Sequence, residues 1–150
     1  MLAANYLYIL YSICMFVLVV LWLQSGLDKI TDYKGNLDWL KGQFSKSFLK
    51  GMVPFLLIIL TLFELSAGIT AVISIAEIWL YKTWNFPFIA CALSLVALTS
   101  LFAGQRISKE YAGAASLMGY FIYVILLLAF TGIASTLAKE NNFFTLYPFK

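Results

Sequence analysis

The stretch MVPFLLIILTLFELSAGITAVISIA, residues 52–76, decides the class of this protein. It is long enough to cross a bilayer, since roughly 20 mostly apolar residues span the hydrocarbon core. Its one ionisable residue, Glu64, stands near the middle. A carboxylate at that depth is costly to hold in hydrocarbon, so it needs a partner within the protein, a proton or a task. Three further stretches meet or approach the spanning length: residues 6–27, 86–103 and 112–138. Their apolar residues run on without alternation, which excludes a transmembrane β-barrel and leaves helices as the spanning structure. The predicted fold is all-α, one integral membrane domain over residues 1–150 built as a four-helix bundle.

Composition agrees with that class. Hydrophobic residues make up 63% and charged residues 11% of the chain, and the mean hydropathy is +0.91, far from the balance with which soluble domains cover their surface. The first span is read as retained: residues 1–5 carry no Lys or Arg, the apolar stretch exceeds a signal h-region, and no A-x-A site follows. Charge near the span ends predicts the orientation. The first connection holds Lys29, Lys34, Lys41, Lys46 and Lys50 and the third holds Arg106 and Lys109, against Lys82, Lys139 and Lys150 on the other side. Because positive residues accumulate on the inner face, both termini are expected outside. Tyr6, Tyr8 and Tyr11 with Trp79, Tyr81 and Trp84 predict an outer aromatic belt, and Trp22 the inner boundary.

In the first connection, Leu37, Leu40, Phe44 and Phe48 recur at helical spacing, with lysines on the other faces and Asn36 as an N-cap. This pattern predicts an amphipathic helix over residues 36–50, lying in the membrane interface. Such a helix either joins two spans while its lysines reach anionic headgroups, or docks a soluble partner. Within the spans, Ala67 with Ala71, Ala90 with Ser94, and Ala115 with Gly119 are small pairs four residues apart. They predict the stripes along which helices approach closely.

The chain contains no histidine, which removes the usual axial ligands of b-type haem and the commonest ligands of copper and zinc. No directly bound metal is expected. Cys14 and Cys91 lie inside spans without a C-x-x-C pairing and read as small apolar residues. No nucleotide-binding loop, Ser-His-Asp set or paired carboxylates are visible, and the few basic residues read as topology signals rather than a nucleic-acid surface. Depth arithmetic from the expected inner ends of the spans puts Glu64 level with Cys14, Cys91, Tyr120 and Tyr123. An unpaired Glu64 there is expected to be protonated and hydrogen-bonded to Tyr120 or Tyr123. Two roles stay open: the acid pins helices together, or it handles a proton or a ligand such as a quinone headgroup.

The run Gln24-Ser25-Gly26-Leu27-Asp28-Lys29-Ile30 closes the first span, Trp39 follows in the connection, and Phe63-Glu64-Leu65-Ser66-Ala67-Gly68 lies inside the second. Together they resemble the DoxX-like membrane proteins, a broad group also similar to the membrane proteins of methylamine utilisation. The resemblance covers mainly residues 20–75, and the four-span layout matches beyond it. It implies Gly26, Lys29, Glu64 and Gly68 as family-typical positions and the cytoplasmic membrane of a bacterium as the setting. Some members of the group are membrane subunits of quinone-linked sulfur oxidation or oxidative-stress complexes; this chain departs from a thiol-active pattern in having no cysteine-rich redox segment. Two functions follow. One is a small accessory subunit, without catalytic activity alone, that associates with membrane lipids and with other membrane subunits of a respiratory or redox assembly. The other is a quinone-binding or proton-relaying component centred on Glu64. Neither engages nucleic acid, and a quinone is the one cofactor either implies.

Overall fold

A computed structural model of the chain describes the backbone of residues 2–140 and the side chains of residues 6–136. The described residues are helical and contain no strand. The elements are α1 (Leu2–Thr31), α2 (Tyr33–Gln43), a 3-10 turn (Lys50–Met52), α3 (Val53–Leu80), α4 (Asn85–Ile107), α5 (Tyr111–Ser116) and α6 (Met118–Glu140). Four helical stretches are long and apolar enough to cross a membrane: Tyr6–Thr31, Lys50–Leu80, Asn85–Ile107 and Tyr111–Thr136. This is the layout of a multi-pass membrane protein.

On the inward faces of the bundle small residues alternate with large ones such as Trp22, Tyr11, Met15 and Leu98, and many large apolar residues face outward. On α3 the buried face is Val53, Leu57, Glu64, Ala67, Gly68, Ala71, Ser74, Glu77 and Ile78, and on α4 it includes Pro87, Ala90, Cys91, Ser94, Ala97 and Leu98. These recur every three or four residues, the period of one helix face. Ile13, Phe16, Leu62, Val96 and Ile122 are exposed on the outside, as a lipid environment permits, because hydrocarbon and leucine are equally apolar and close packing has to come from shape. The helix α3 packs between α1 and α4, and α6 packs on α4. Hydrogen bonds tie α1 back to the other side of the bundle: Trp22 donates through Nε1 to Ser94 Oγ at 2.8 Å, and the Tyr123 hydroxyl donates to the Cys14 carbonyl at 2.7 Å. Pro54 lies in the first turn of α3 and Pro87 near the start of α4, where the missing N–H has no helical partner to lose.

Several local expectations give way. Trp22 is not a boundary residue; it is 1% exposed and buried in the bundle, because its N–H finds a partner in Ser94. Tyr8, Tyr11 and Trp84 are likewise buried, while Tyr6, Trp79 and Tyr81 remain exposed, so half of the supposed aromatic belt is packing between helices. Ala115 and Gly119 face outward, unlike the other two small pairs. The fourth span breaks at Leu117 into α5 and α6, yet its buried residues Ala114, Leu117, Val124, Leu127, Thr131 and Ala134 keep one helical period through the break, and Ala115 and Gly119 lie on another face.

The amphipathic connection is shorter than the 36–50 read from its pattern: α2 ends at Gln43 and gives way to turns. Its N-cap is Asp32, whose Oδ1 accepts from the Gly35 N–H at 3.0 Å, rather than Asn36. Asn36 lies inside the helix and donates through Nδ2 to the Asp32 carbonyl at 3.0 Å. Of the apolar stripe, Phe44 is buried and Leu37 and Leu40 half-buried, but Phe48 is exposed. Lys139 and Lys150, counted in the charge asymmetry, lie outside the residues whose side chains are described.

Candidate functional site

Two glycines create the site. Gly26 on α1 faces Leu65 on α3, and a Cβ at residue 26 would come within 2.6 Å of Leu65 Cδ2. Gly68 on α3 faces Leu23 in turn; a Cβ there would lie 2.6 Å from Leu23 Cδ2 and 3.0 Å from its backbone nitrogen. The two helices therefore cross closely, with a Cβ at residue 68 pressing on backbone and one at residue 26 mainly on the end of a side chain. One turn beyond Gly26 on the same face, Lys29 reaches across the crossing, and its Nζ stands 2.9 Å from Glu64 Oε2.

The ammonium also donates to Ser25 Oγ at 2.8 Å and to the Ser25 carbonyl at 3.3 Å, so its three N–H bonds are all directed at protein oxygens. Glu64 is completely buried and the Lys29 side chain is 13% exposed. Charge meets charge where the dielectric is low. Each ion alone would bear a desolvation penalty of several kcal/mol, and only the pair offsets it. Glu64 Oε1 is buried without a hydrogen bond among the described residues.

Beside the pair lies a cavity of about 460 Å³ between α2, the first turns of α3 and the last turns of α4. Leu40, Phe44, Leu56, Leu57, Leu60 and Leu101 contribute to its apolar wall, and Lys29, Asn36, Gln43, Ser100, Gln105 and Ser108 supply its polar positions. Its size falls within the roughly 300–1,000 Å³ of ligand-binding cavities. Gln105 Oε1 is buried with no hydrogen-bond partner.

The layer predicted around Glu64 divides in two. Cys14, Cys91 and Tyr123 do come together, around the hydrogen-bonded hydroxyls of Tyr11 and Thr131, but Glu64 is not among them. Tyr120 is half-exposed and faces away. The cause is register. Gly26 stands opposite Leu65, Leu23 opposite Gly68, and Trp79 donates to Ser12 Oγ at 3.0 Å, so Cys14 is level with the end of α3 that holds Glu77. Depth arithmetic started α1 and α3 from one plane, whereas the first turns of α3 extend past α1 to pack against α2. Gly26, Lys29, Glu64 and Gly68 lie together at the crossing of α1 and α3.

Two functional groups escaped the sequence reading. Ser25 completes the lysine's coordination, and its place one helical turn before Lys29 was the available signal. Glu77 is buried near the end of α3; its carboxylate accepts from the Thr83 hydroxyl and from the Phe86 N–H at 2.8 Å, capping α4. An acid at the end of a span, followed by a short turn and a new helix, was the pattern to find it by. Comparison with protein-family models, with curated proteins and with solved structures returns no match, so the functional reading rests on this site's own geometry.

Proposed function

We propose that the chain is a small accessory subunit of a larger membrane assembly, of the DoxX-like kind and serving quinone-linked redox chemistry in a bacterial cytoplasmic membrane, with both termini outside. The observation that carries this reading is the Lys29–Glu64 pair. Every N–H of the ammonium is directed within the protein, and the pair sits at the close crossing of α1 and α3, which suits a clamp that fixes the bundle's shape for its partners. Purification of the full chain from its native membrane in mild detergent tests the proposal. A stoichiometric membrane-protein partner is the expected result; a chain that elutes alone with stoichiometric quinone overturns it. Reporter fusions to the two termini check the orientation, and cytoplasmic activity of either would reverse it.

A second reading, proton or quinone handling at Glu64, is favoured by Oε1, the buried carboxylate oxygen without a hydrogen bond. Its signature is a Glu64→Gln chain that assembles normally while the activity of its assembly is abolished.

A further inference from the structure

A second cavity, an open groove of about 630 Å³, adjoins the inter-helix chamber on the side of the helix ends. The two share Trp39, Gln43, Ile107 and Ser108 as walls, so they are adjoining compartments. The groove carries Lys46 and Lys109 with Ser45, Ser47 and one acid, Asp38. No carboxylate of the described residues pairs with either lysine. Lys109 is held at φ 63, a left-handed conformation in which glycine is the unstrained choice. The chamber beyond the shared walls is mostly apolar, with leucine its commonest residue, and it holds the Oε1 of Gln105, buried and without a hydrogen bond among the described residues.

The geometry points to a binding site for one anionic phospholipid, its phosphate in the groove between Lys46 and Lys109 and one acyl chain in the chamber under α2. The charge balance and the division into polar and apolar compartments select this occupant. Two ammonium groups against one carboxylate favour an anion, the Ser45 hydroxyl suits a phosphate oxygen, and an apolar chamber adjoining the groove calls for an anion that carries a hydrocarbon tail. A free phosphate would leave the chamber empty, and a neutral quinone would leave the lysines without a counter-charge. Lysines close to a membrane surface are attracted to anionic lipid in any case; what this site adds is a tail pocket, which turns general attraction into one specific lipid. The clamp proposed above is not required for this site, because all three Lys29 N–H bonds are already engaged.

The test is retention of lipid by the full chain purified from vesicles of equal phosphatidylglycerol and phosphatidylcholine with added ubiquinone, read by native mass spectrometry. One phosphatidylglycerol per chain is expected, preferred over phosphatidylcholine by at least about fivefold, and inorganic or glycerol phosphate at millimolar concentration should not displace it. Lys46→Gln with Lys109→Gln should abolish the preference between the two lipids while a lipid is still retained. Ser100→Phe, which adds bulk to the chamber from an exposed position, should remove the retained lipid of either kind. Equal retention of both phospholipids by the unaltered chain, quinone in place of phospholipid, displacement by the soluble phosphates, or retention unchanged in both variants would each overturn the proposal. Absence of a partner protein in the native-membrane purification, with lipid retention from vesicles intact, would instead count against the accessory-subunit reading alone.

Discussion

The helix α3 carries two buried acids, Glu64 and Glu77, about 20 Å apart along its axis, and the two ends of the bundle answer them differently. Glu77 receives a hydroxyl and a backbone N–H; Glu64 receives an ammonium. Around Glu77 the space is filled by rings: Tyr8 against Trp79 at 5.9 Å, Tyr11 edge-on to Trp84 at 5.0 Å and stacked with Phe130 at 5.6 Å. Beyond Glu64 there is a cavity. The difference follows from the connections. A short turn of residues 81–84 brings α4 directly onto the end of α3, so the acid meets a helix N-terminus, whose unpaired N–H groups favour negative charge. The long connection of residues 32–52 holds α2 across the other end and leaves room beneath it. A buried acid is therefore either a cap or a clamp according to what the chain delivers to it.

The largest expected effect breaks the clamp. Lys29→Met or Glu64→Ala alone leaves one ion buried and uncompensated, a loss of about 3–5 kcal/mol. Replacing both at once with methionine should recover most of that loss, because the penalty belongs to the lone charge. Unfolding of the three variants in mixed micelles reads this directly. If the double variant is as unstable as either single one, the pair is not acting as a unit. Glu77→Ala should show no such rescue by any lysine substitution, since its partners are neutral.

Substitutions at the crossing come next. Gly68→Ala drives a methyl against the Leu23 backbone nitrogen, which cannot rotate away, whereas Gly26→Ala meets mainly the end of the Leu65 side chain. Overpacking of this kind costs typically about 1–3 kcal/mol, with Gly68→Ala expected at the upper end and Gly26→Ala at the lower. The same measurements, with spin labels on α1 and α3, should show the helices pushed apart. An alanine tolerated at residue 68 without a change in the interhelical distance would contradict the close crossing.

The sequence made these two ends unequally legible. Four spans and their inward small residues follow from composition and period, since an apolar run of bilayer length leaves few alternatives. The clamp is only half legible: the depth of Glu64 in an apolar run calls for a partner, whereas Lys29, at the end of its span, reads as a charge at a membrane face. Pairing them requires the register of α1 against α3, which is set by Gly26 and Gly68 rather than by where the apolar runs begin. At the other end Tyr11 and Trp84, and nearer the crossing Trp22, look like interfacial residues by type, and only their hydrogen-bond and ring partners on distant segments make them core. The cavity under α2 had no signature at all, because empty space is a property of three elements together.

Glu77 offers a milder contrast with the clamp. Removing its carboxylate in Glu77→Ala leaves the first turn of α4 without its acceptor, a loss of about 0.5–2 kcal/mol, as for other helix caps. Glu77→Gln keeps an acceptor oxygen and should lose less than half of that. At Glu64 the same Gln substitution leaves the Lys29 ammonium without its counter-charge and should be the more damaging of the two. Equal effects of Gln at both positions would erase the distinction between cap and clamp.

The smallest effect is expected at Asp32, a second carboxylate cap on an exposed element. Its Oδ1 holds only the Gly35 N–H, and α2 contains no buried residue, so Asp32→Ala should hardly change global unfolding. Locally a lost cap of about 1 kcal/mol corresponds to roughly a fivefold rise in opening, which hydrogen exchange of the amides in residues 33–43 would detect. Because α2 is one wall of the cavity, the same variant should raise exchange at the facing turn of α3 around Leu56 and Leu57 while leaving the amides near Glu77 unchanged. If exchange rises equally at both ends of α3, the two ends are one cooperative unit and their separate treatment fails. If it does not rise in α2 at all, Asp32 is not what begins that helix.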